Sequence, residues 1–285
     1  LHIQILLYKS KRFLDKLVQG LNQVESPERL VVHFLENSDE DSKSALEKMS
    51  AGAKFKYTYD NENSNLGFGK GHNFLFNKYK HEYGEFFMLL NPDTLPFYNF
   101  LQRFEGFRKS IEKSEKTWGI IELAQFPKEH PKDYDEKTFV TDWASAAAAI
   151  YRTSIFDDLQ GFDESLFMYC EDVDISWRIR ERGYTIYHCP IAKVAHLTRE
   201  LDKRKDPSFE EIYSKAGNLY LRHKYFPKAQ VKMYRHFIKG SPYIRKIDKE
   251  YKEILERAQD KGIKGYKKFK SPKIFPDTNY SFHRW

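Results

Sequence analysis

Two hydrophobic periods divide the first hundred residues. His2, Ile3, Gln4, Ile5, Leu6 and Leu7 make a short apolar run of strand length, and residues 30–35 make another. Between them Phe13, Leu14, Leu17, Val18 and Leu21 recur at helical spacing. Strand, helix and strand in that order predict a βαβ crossover and therefore a parallel sheet. Parallel open sheets bind ligands beyond the carboxyl ends of their strands, so the residues just after each strand are the ones to inspect. A third strand is predicted over 55–59, a helix over 73–79, and a buried-type strand over 86–90 that ends in Asn91-Pro92-Asp93-Thr94.

The pattern then becomes more mixed. A helix is predicted over 97–112, a strand over 118–123 and a mobile loop over the charged, Pro131-containing stretch 128–137. Residues 143–151 are small and apolar. Helices are predicted at 155–159 and 172–182, with short strands at 184–187 and 192–195. Beyond about 202 the composition turns helical and basic, and Lys261, Lys264, Lys267, Lys268, Lys270 and Lys273 cluster near the end with aromatic residues among them. No internal repeat or low-complexity tract interrupts the chain.

Composition narrows the class. The 285 residues are 40% hydrophobic and 16% aromatic, which excludes a disordered chain and is enough for a sizeable core. A net charge of +7 suits an anionic partner such as nucleotide phosphates or an anionic surface, or simply a Lys-rich exterior. Two cysteines, Cys170 and Cys189, cannot build a disulfide framework or a four-cysteine zinc site, so a reducing, cytoplasmic setting is expected. No apolar run approaches the roughly 18 residues of a membrane span, and no signal-peptide pattern stands at the amino end.

Chemistry concentrates in a few places. Asp93 follows a strand and an Asn-Pro that stops the ladder, which faces its carboxylate toward the ligand crevice. Hard divalent cations take oxygen ligands, so Asp93 is a candidate metal ligand, with a turn-forming role as the plainer reading. Residues 161–178 pack four aromatics and five carboxylates into 18 positions. If Asp172 opens a helix, Glu171 and Asp172 sit at its positive end, where a carboxylate stays ionised and can take a proton from a hydroxyl. An amphipathic helix with Asp174 and Arg178 paired at i,i+4 accounts for Asp174 but not for Glu171 and Asp172 together. His196 follows a short strand, and a lone histidine is more often structural than ligating. The glycines between Asn65 and Asn73 are a weak phosphate-loop signal without the spacing of a dinucleotide or Walker motif.

In order along the chain, four segments resemble family 2 glycosyltransferases of the GT-A fold, in particular the bacterial rhamnosyltransferase-like branch. They are Glu36-Asn37-Ser38 with Asp41, Asn65 to Asn73, Leu90 to Thr94, and Gly161 through Glu171-Asp172 to Arg178. The match continues through Arg182-Gly183-Tyr184 to Pro190 and His196, covering about the first 200 residues. It implies a Rossmann-like mixed sheet flanked by helices, with a nucleotide-sugar-binding half at 1–95, an acceptor and catalytic half at 96–200, and a helical basic extension at 201–285. It implies Asp93 and His196 as ligands of Mg²⁺ or Mn²⁺, and Asp172 as catalytic base with Glu171 beside it. Glu36 is implied to meet the nucleotide base, with Asn65, Gly67, Asn73, Asn91 and Asp93 also on the nucleotide-sugar side. Trp143, Ala144 and Ser145 are implied on the acceptor side. The usual DxD element is reduced here to Asn91-Pro92-Asp93.

The expected activity is inverting, metal-dependent transfer of a sugar, with rhamnose suggested by the branch, from a nucleotide-diphosphate donor to a glycan or lipid-linked acceptor. A nucleotidyltransferase would want a basic Gly-rich loop near the amino end, which residues 6–11 do not offer. A non-catalytic carbohydrate-binding protein of the same fold is the other alternative. The basic tail is read either as a peripheral contact with the inner face of a membrane or as an ordinary solvated helix. No nucleic-acid motif is present.

Overall fold

The computed structural model describes residues 1–113, 117–129, 132–197, 207–225 and 249–269. Among these, eight strands form one mixed sheet in the order β3-β2-β1-β4-β7-β6-β8-β5. β1 (His2–Leu7), β2 (Val31–Glu36), β3 (Lys56–Asn61) and β4 (Phe86–Leu90) are parallel and follow the predicted pattern. β7 (Ala148–Arg152) runs antiparallel to β4 and to β6 (Trp118–Phe126). β8 (Thr185–His196) is parallel to β6, and β5 (Thr94–Pro96) closes the far edge antiparallel to β8.

Strand period sets the two faces. Ile3, Ile5 and Leu7 on β1, with Met88 and Leu90 on β4, pack under α1 (Lys11–Gln23) and α4 (Phe100–Ile111). Phe87 and Leu89 face the other way, against α3 (Phe68–Tyr79), α5 (Thr153–Asp158) and α6 (Glu171–Glu181). Between α1 and α3 lies the short α2 (Lys43–Met49). With apolar cover on both faces the central strands read as continuous apolar runs, as parallel strands do. The α3 face also holds a polar patch. His2 Nδ1 lies 2.9 Å from His33 Nε2, His33 Nδ1 lies 2.9 Å from Thr58 Oγ1, and the Gln4 amide sits between His72 and the Tyr83 hydroxyl.

Three elements differ from expectation. The helix predicted from 73 begins at Phe68, because Gly67 turns the chain at φ +82° and Phe68 N–H donates to Phe167 O (2.9 Å). The short strands at 184–187 and 192–195 are one strand, β8. Its register against β6 jumps from Leu123–Cys189 to Ala124–Lys193, so Pro190, Ile191 and Ala192 bulge out. The helix predicted over 97–112 starts only at Phe100 as α4, and the residues just before it form β5. Residues 128–129 and 132–137 carry no regular element, but Tyr134 bridges Thr141.

Beyond β8, α7 (Pro207–Tyr225) packs into the same body as α6. Tyr220, Leu221 and Tyr225 join Trp143, Leu166, Cys170, Val173 and Trp177 in one buried cluster. α8 (Lys249–Phe269) lies along α7, so closely that a Cβ on Gly262 would meet His223 Cβ at 2.7 Å. Of the basic tail, Lys261 and Lys264 are exposed on α8. Lys267 and Lys268 lie on its last turn, and Lys270 and Lys273 lie outside the described residues. No described helix is long and apolar enough to cross a membrane.

Candidate active site

The carboxyl edge of the sheet collects most of the chemistry. β4 ends at Leu90, and Asn91-Pro92-Asp93-Thr94 turns there, with Asn91 O accepting from Thr94 N (3.1 Å) and Thr94 Oγ1 (2.6 Å). That turn sends the chain into β5, whose register places Thr94 opposite His196. Asp93 and His196, 103 positions apart by their numbers, are thereby neighbours, with Asp93 Oδ2 3.5 Å from His196 Nε2. Leu197 N–H donates to Asp93 O (2.8 Å) and ties the two chain segments further.

The other imidazole nitrogen of His196 is engaged. Its Nδ1 lies 2.8 Å from Gln125 Oε1 at the end of β6, an acceptor that calls for a proton on Nδ1 and leaves the Nε2 lone pair facing Asp93. Gln125 Nε2 in turn donates to Glu122 Oε1 (3.4 Å), and Glu122 pairs with the buried Lys132, so the amide is held from behind. One carboxylate oxygen and one imidazole nitrogen with a fixed tautomer fit a divalent cation such as Mg²⁺ or Mn²⁺. Among the described residues no group of three or more His, Cys, Asp or Glu side chains could hold a metal alone. Ligand and water oxygens would have to complete the coordination.

The segment leading into α6 is backbone-constrained. Tyr169 and Cys170 hold φ of +65° and +69°, a left-handed corner unusual for two consecutive non-glycine residues, and Glu171 and Asp172 follow immediately. Their environments diverge. Glu171 is fully enclosed, its Oε2 has no partner, and burial together with the neighbouring Asp172 charge pushes its carboxyl well above the usual range. The expectation that Glu171 stays ionised at the helix terminus is therefore corrected: desolvation outweighs the macrodipole, which contributes at most ~2 kcal/mol. Asp172 is only partly buried, and its Oδ1 accepts from Val173 N–H (2.9 Å). Burial first, then the charges of Asp172 and Glu171, push the buried Tyr151 hydroxyl well up.

Ser176 locks α6 to the sheet. Its hydroxyl donates to Asp172 O (2.6 Å) and accepts from Ala144 N–H (3.1 Å). Trp143, Ala144 and Ser145 lie beneath α6, at 3%, 0% and 3% exposure, so their side chains serve as floor and packing. The Lys132 ammonium sits 5.0 Å from the centre of the Trp143 ring, and Ser145 Oγ accepts from Ala147 N–H (3.4 Å).

On the nucleotide side, Glu36 ends β2 fully buried. Ser38 Oγ donates to its Oε1 (2.6 Å), while Oε2 has no hydrogen-bond partner. Asn37, beside Glu36, holds the glycine loop. It donates to Gly67 O (3.1 Å), accepts from Leu66 N–H (2.8 Å) and contacts Asn65 Oδ1, which itself accepts from Gly67 N–H (2.9 Å). The glycines read as a weak phosphate loop act in packing: a Cβ on Gly69 would meet Phe162 Cβ at 2.9 Å, and one on Gly71 would meet Leu6 at 2.9 Å. Asn73 is a clasp. Its amide donates to Phe162 O (2.9 Å) and Glu164 Oε1 (3.2 Å) and accepts from Phe162 N–H (2.8 Å).

The fold that places these residues recurs in solved structures. The chain aligns over 93% of its length with the 1–349 fragment of S. aureus TarS in complex with UDP-GlcNAc (TM-score 0.56, 14% identity, 81% of that chain). It aligns equally far with a mannosyltransferase of Pyrobaculum calidifontis in complex with GDP-Man and Mn²⁺ (TM-score 0.60, 14% identity, 73% of that chain). GalNAc-T7 with UDP, GalNAc and Mn²⁺ aligns over 91% of this chain and 54% of its own (TM-score 0.61, 13% identity). The chain has the GT-A fold. In sequence it is 28% identical over 109 residues to the rhamnosyltransferase WbbL of Escherichia coli K12, a match spanning 38% of this chain and 39% of that one. It is 31% identical over 105 residues to the N-acetylglucosaminyl-diphospho-decaprenol L-rhamnosyltransferase of Mycobacterium tuberculosis, over 36% of this chain and 33% of that one. The match thus spans little more than a third of the curated relatives' length. No protein-family model matches the chain.

Proposed function

We propose that this protein transfers a sugar from a nucleotide-diphosphate donor to an acceptor hydroxyl with inversion, using Asp172 as base and a divalent cation held by Asp93 and His196. The observation that carries the reading is the Asp93–His196 pair at 3.5 Å on the carboxyl edge, backed by Gln125. Its support in the comparisons is the UDP-GlcNAc, GDP-Man and Mn²⁺ named for structural neighbours of the same fold.

In the reaction the acceptor oxygen attacks the anomeric carbon and the new C–O bond forms as the bond to the diphosphate oxygen breaks. The acceptor proton passes to the Asp172 carboxylate, and the nucleoside diphosphate leaves with the bonding pair. What Mg²⁺ or Mn²⁺ would supply at Asp93 and His196 is neutralisation of charge on the departing diphosphate. Glu36 presents a buried, unpartnered carboxylate oxygen suited to an N–H of the nucleotide base. Asn65, Gly67 and Asn91 lie on the loops framing the donor side, and Asn73 holds that frame through Phe162. Burial and the Asp172 charge raise the Glu171 carboxyl, and Asp172, the less enclosed of the two, is assigned as the proton acceptor. The relatives' names suggest rhamnose as the sugar and an N-acetylglucosaminyl-diphospho-lipid as acceptor; polysaccharide assembly at the cytoplasmic face of a membrane is the setting that such an acceptor would imply.

The test is transfer from dTDP-rhamnose, UDP-GlcNAc and GDP-mannose to a synthetic N-acetylglucosaminyl-diphospho-lipid, with Mn²⁺ and with EDTA. General-base help is worth about 10²–10⁴-fold, so Asp172→Asn should lower turnover by that factor with donor affinity nearly unchanged. Near-normal turnover in that variant rejects Asp172 as base, and undiminished activity in chelator rejects the metal.

A further inference from the structure

The α6 helix that presents Asp172 is gripped from outside the catalytic segment. Lys224, on the last turn of α7, is completely buried between two carboxylates, its Nζ 2.7 Å from Asp163 Oδ2 and 2.6 Å from Asp174 Oδ1. Asp174 also accepts from the Tyr225 hydroxyl (2.8 Å) and, through its other oxygen, from Arg178 Nε (2.8 Å). Arg178 goes on to donate to Leu159 O (3.0 Å) and Gly161 O (2.7 Å). Asp163 accepts from the Tyr220 hydroxyl. Lys224 and Asp174 are fully buried, Arg178 nearly so, and Asp163 keeps a partly exposed edge, so each of these four charges meets an opposite one, the condition under which buried ions are tolerated.

The same helix presses on the left-handed corner before Asp172. A Cβ placed on Gly217 of α7 would lie 2.7 Å from Tyr169 O and 2.9 Å from Cys170 Cβ, and Cys170 Sγ lies 3.8 Å from Ser214 O. Trp177 of α6 meets the Tyr225 ring edge-on at 5.1 Å. The backbone at 169–170 adopts a conformation that two L-residues rarely hold unaided, and such strain persists only where surrounding contacts over-determine it. α7 supplies those contacts on one side, and the Lys224 cluster fixes the helix that follows.

We infer that Lys224 is a positioning residue for the transfer reaction: by bridging Asp163 and Asp174 it holds α6, and with it the Tyr169–Cys170 corner, at the angle that aims Asp172. The inference rests on Asp172 acting as the base. It makes α7 a working part of the catalytic unit, not an appendage to it.

Four variants test it: Lys224→Met, Asp163→Asn/Lys224→Met, Tyr225→Phe and, as reference, Asp172→Asn. Turnover is normalised to the folded fraction and measured with the donor that is active in the panel. Misplacement of a catalytic group by about 1 Å can cost 10²-fold. Lys224→Met is expected to lower kcat by about that factor while donor KM stays within roughly threefold. The double variant restores charge balance by leaving Asp174 with Arg178, and should regain about tenfold of the lost kcat. Tyr225→Phe keeps every charge and should lose less than about tenfold. A purely structural Lys224 would lower the melting temperature and leave the kcat of the folded fraction untouched. That result, or a donor KM rising in step with the fall in kcat, overturns the inference. If Lys224→Met does not fold, the double variant decides: its failure to exceed the kcat of Asp172→Asn rejects the proposal. Normal turnover in Asp172→Asn would remove the base assignment itself, whereas an inactive Asp172→Asn beside a normal Lys224→Met removes only the role of Lys224.

Discussion

Alanine at Gly67 and alanine at Gly183 meet a similar φ but very different surroundings, and the difference can be measured. Gly67 has φ +82° and ψ 179°, a combination open essentially to glycine alone, and Gly183 has φ +85°. A Cβ on Gly183 finds nothing within 4 Å, so its substitution carries only the left-handed penalty of about 1–2 kcal/mol. A Cβ on Gly67 would lie 2.3 Å from Phe167 O and 2.8 Å from the Phe167 ring. The loop must then part from residue 167, losing the Phe68 N–H to Phe167 O bond. Strain of about 1–3 kcal/mol and a lost hydrogen bond of about 0.5–1.5 kcal/mol put Gly67→Ala at roughly 2–4 kcal/mol. Relief of the clash adds to that figure. Urea denaturation of both variants against the parent gives the contrast, read as midpoint shifts at unchanged slope. Equal shifts would show that the 67–68 loop is not seated on residue 167. Because that residue leads into the corner before Asp172, Gly67→Ala should also lower turnover, while Gly183→Ala should not.

Two further outcomes are expected. Gln125→Leu frees His196 to change tautomer and should weaken Mn²⁺ affinity about 10–100-fold, read by calorimetry without donor; unchanged affinity would remove Gln125 from the metal's support. Burial, and for His33 also the neighbouring His2, depresses His33 to about 4 and His72 to about 3. Below pH 6.5 the unfolded chain therefore takes up protons that the native state refuses, and stability falls with pH by up to about 1.4 kcal/mol per unit for each histidine. Glu171, raised in the native state, acts in the opposite direction, so His33→Asn compared with the parent between pH 6.5 and 4 isolates one group. A difference in stability that stays constant across that window would refute it.

What could be read from the sequence, and what could not, divides by distance along the chain. The strands β1 to β4 and the helix α1 were legible because each is specified by its own apolar period, and both sheet faces being covered only made the runs longer. β8 was read as two strands because Pro190 interrupts the local pattern, yet the pairing with β6 resumes at Lys193 beyond the bulge. β5 is three residues long and has no period to detect, although its register is what sets His196 beside Asp93. Glu171 was misjudged for a related reason. A helix terminus is visible in the sequence, but the enclosure that raises the carboxyl is made by residues from other elements. Gln125 and Lys224 carried no signal, and Asn37 only its place in the Glu36-Asn37-Ser38 segment, since the meaning of each lies in partners 71, 50 to 61, and 28 to 30 positions away respectively. Asp174 shows the division within one side chain. Its partner Arg178 is one helical turn on and could be read from spacing, whereas Lys224, which balances the second carboxylate of the same cluster, is reached only once α7 has folded back on α6.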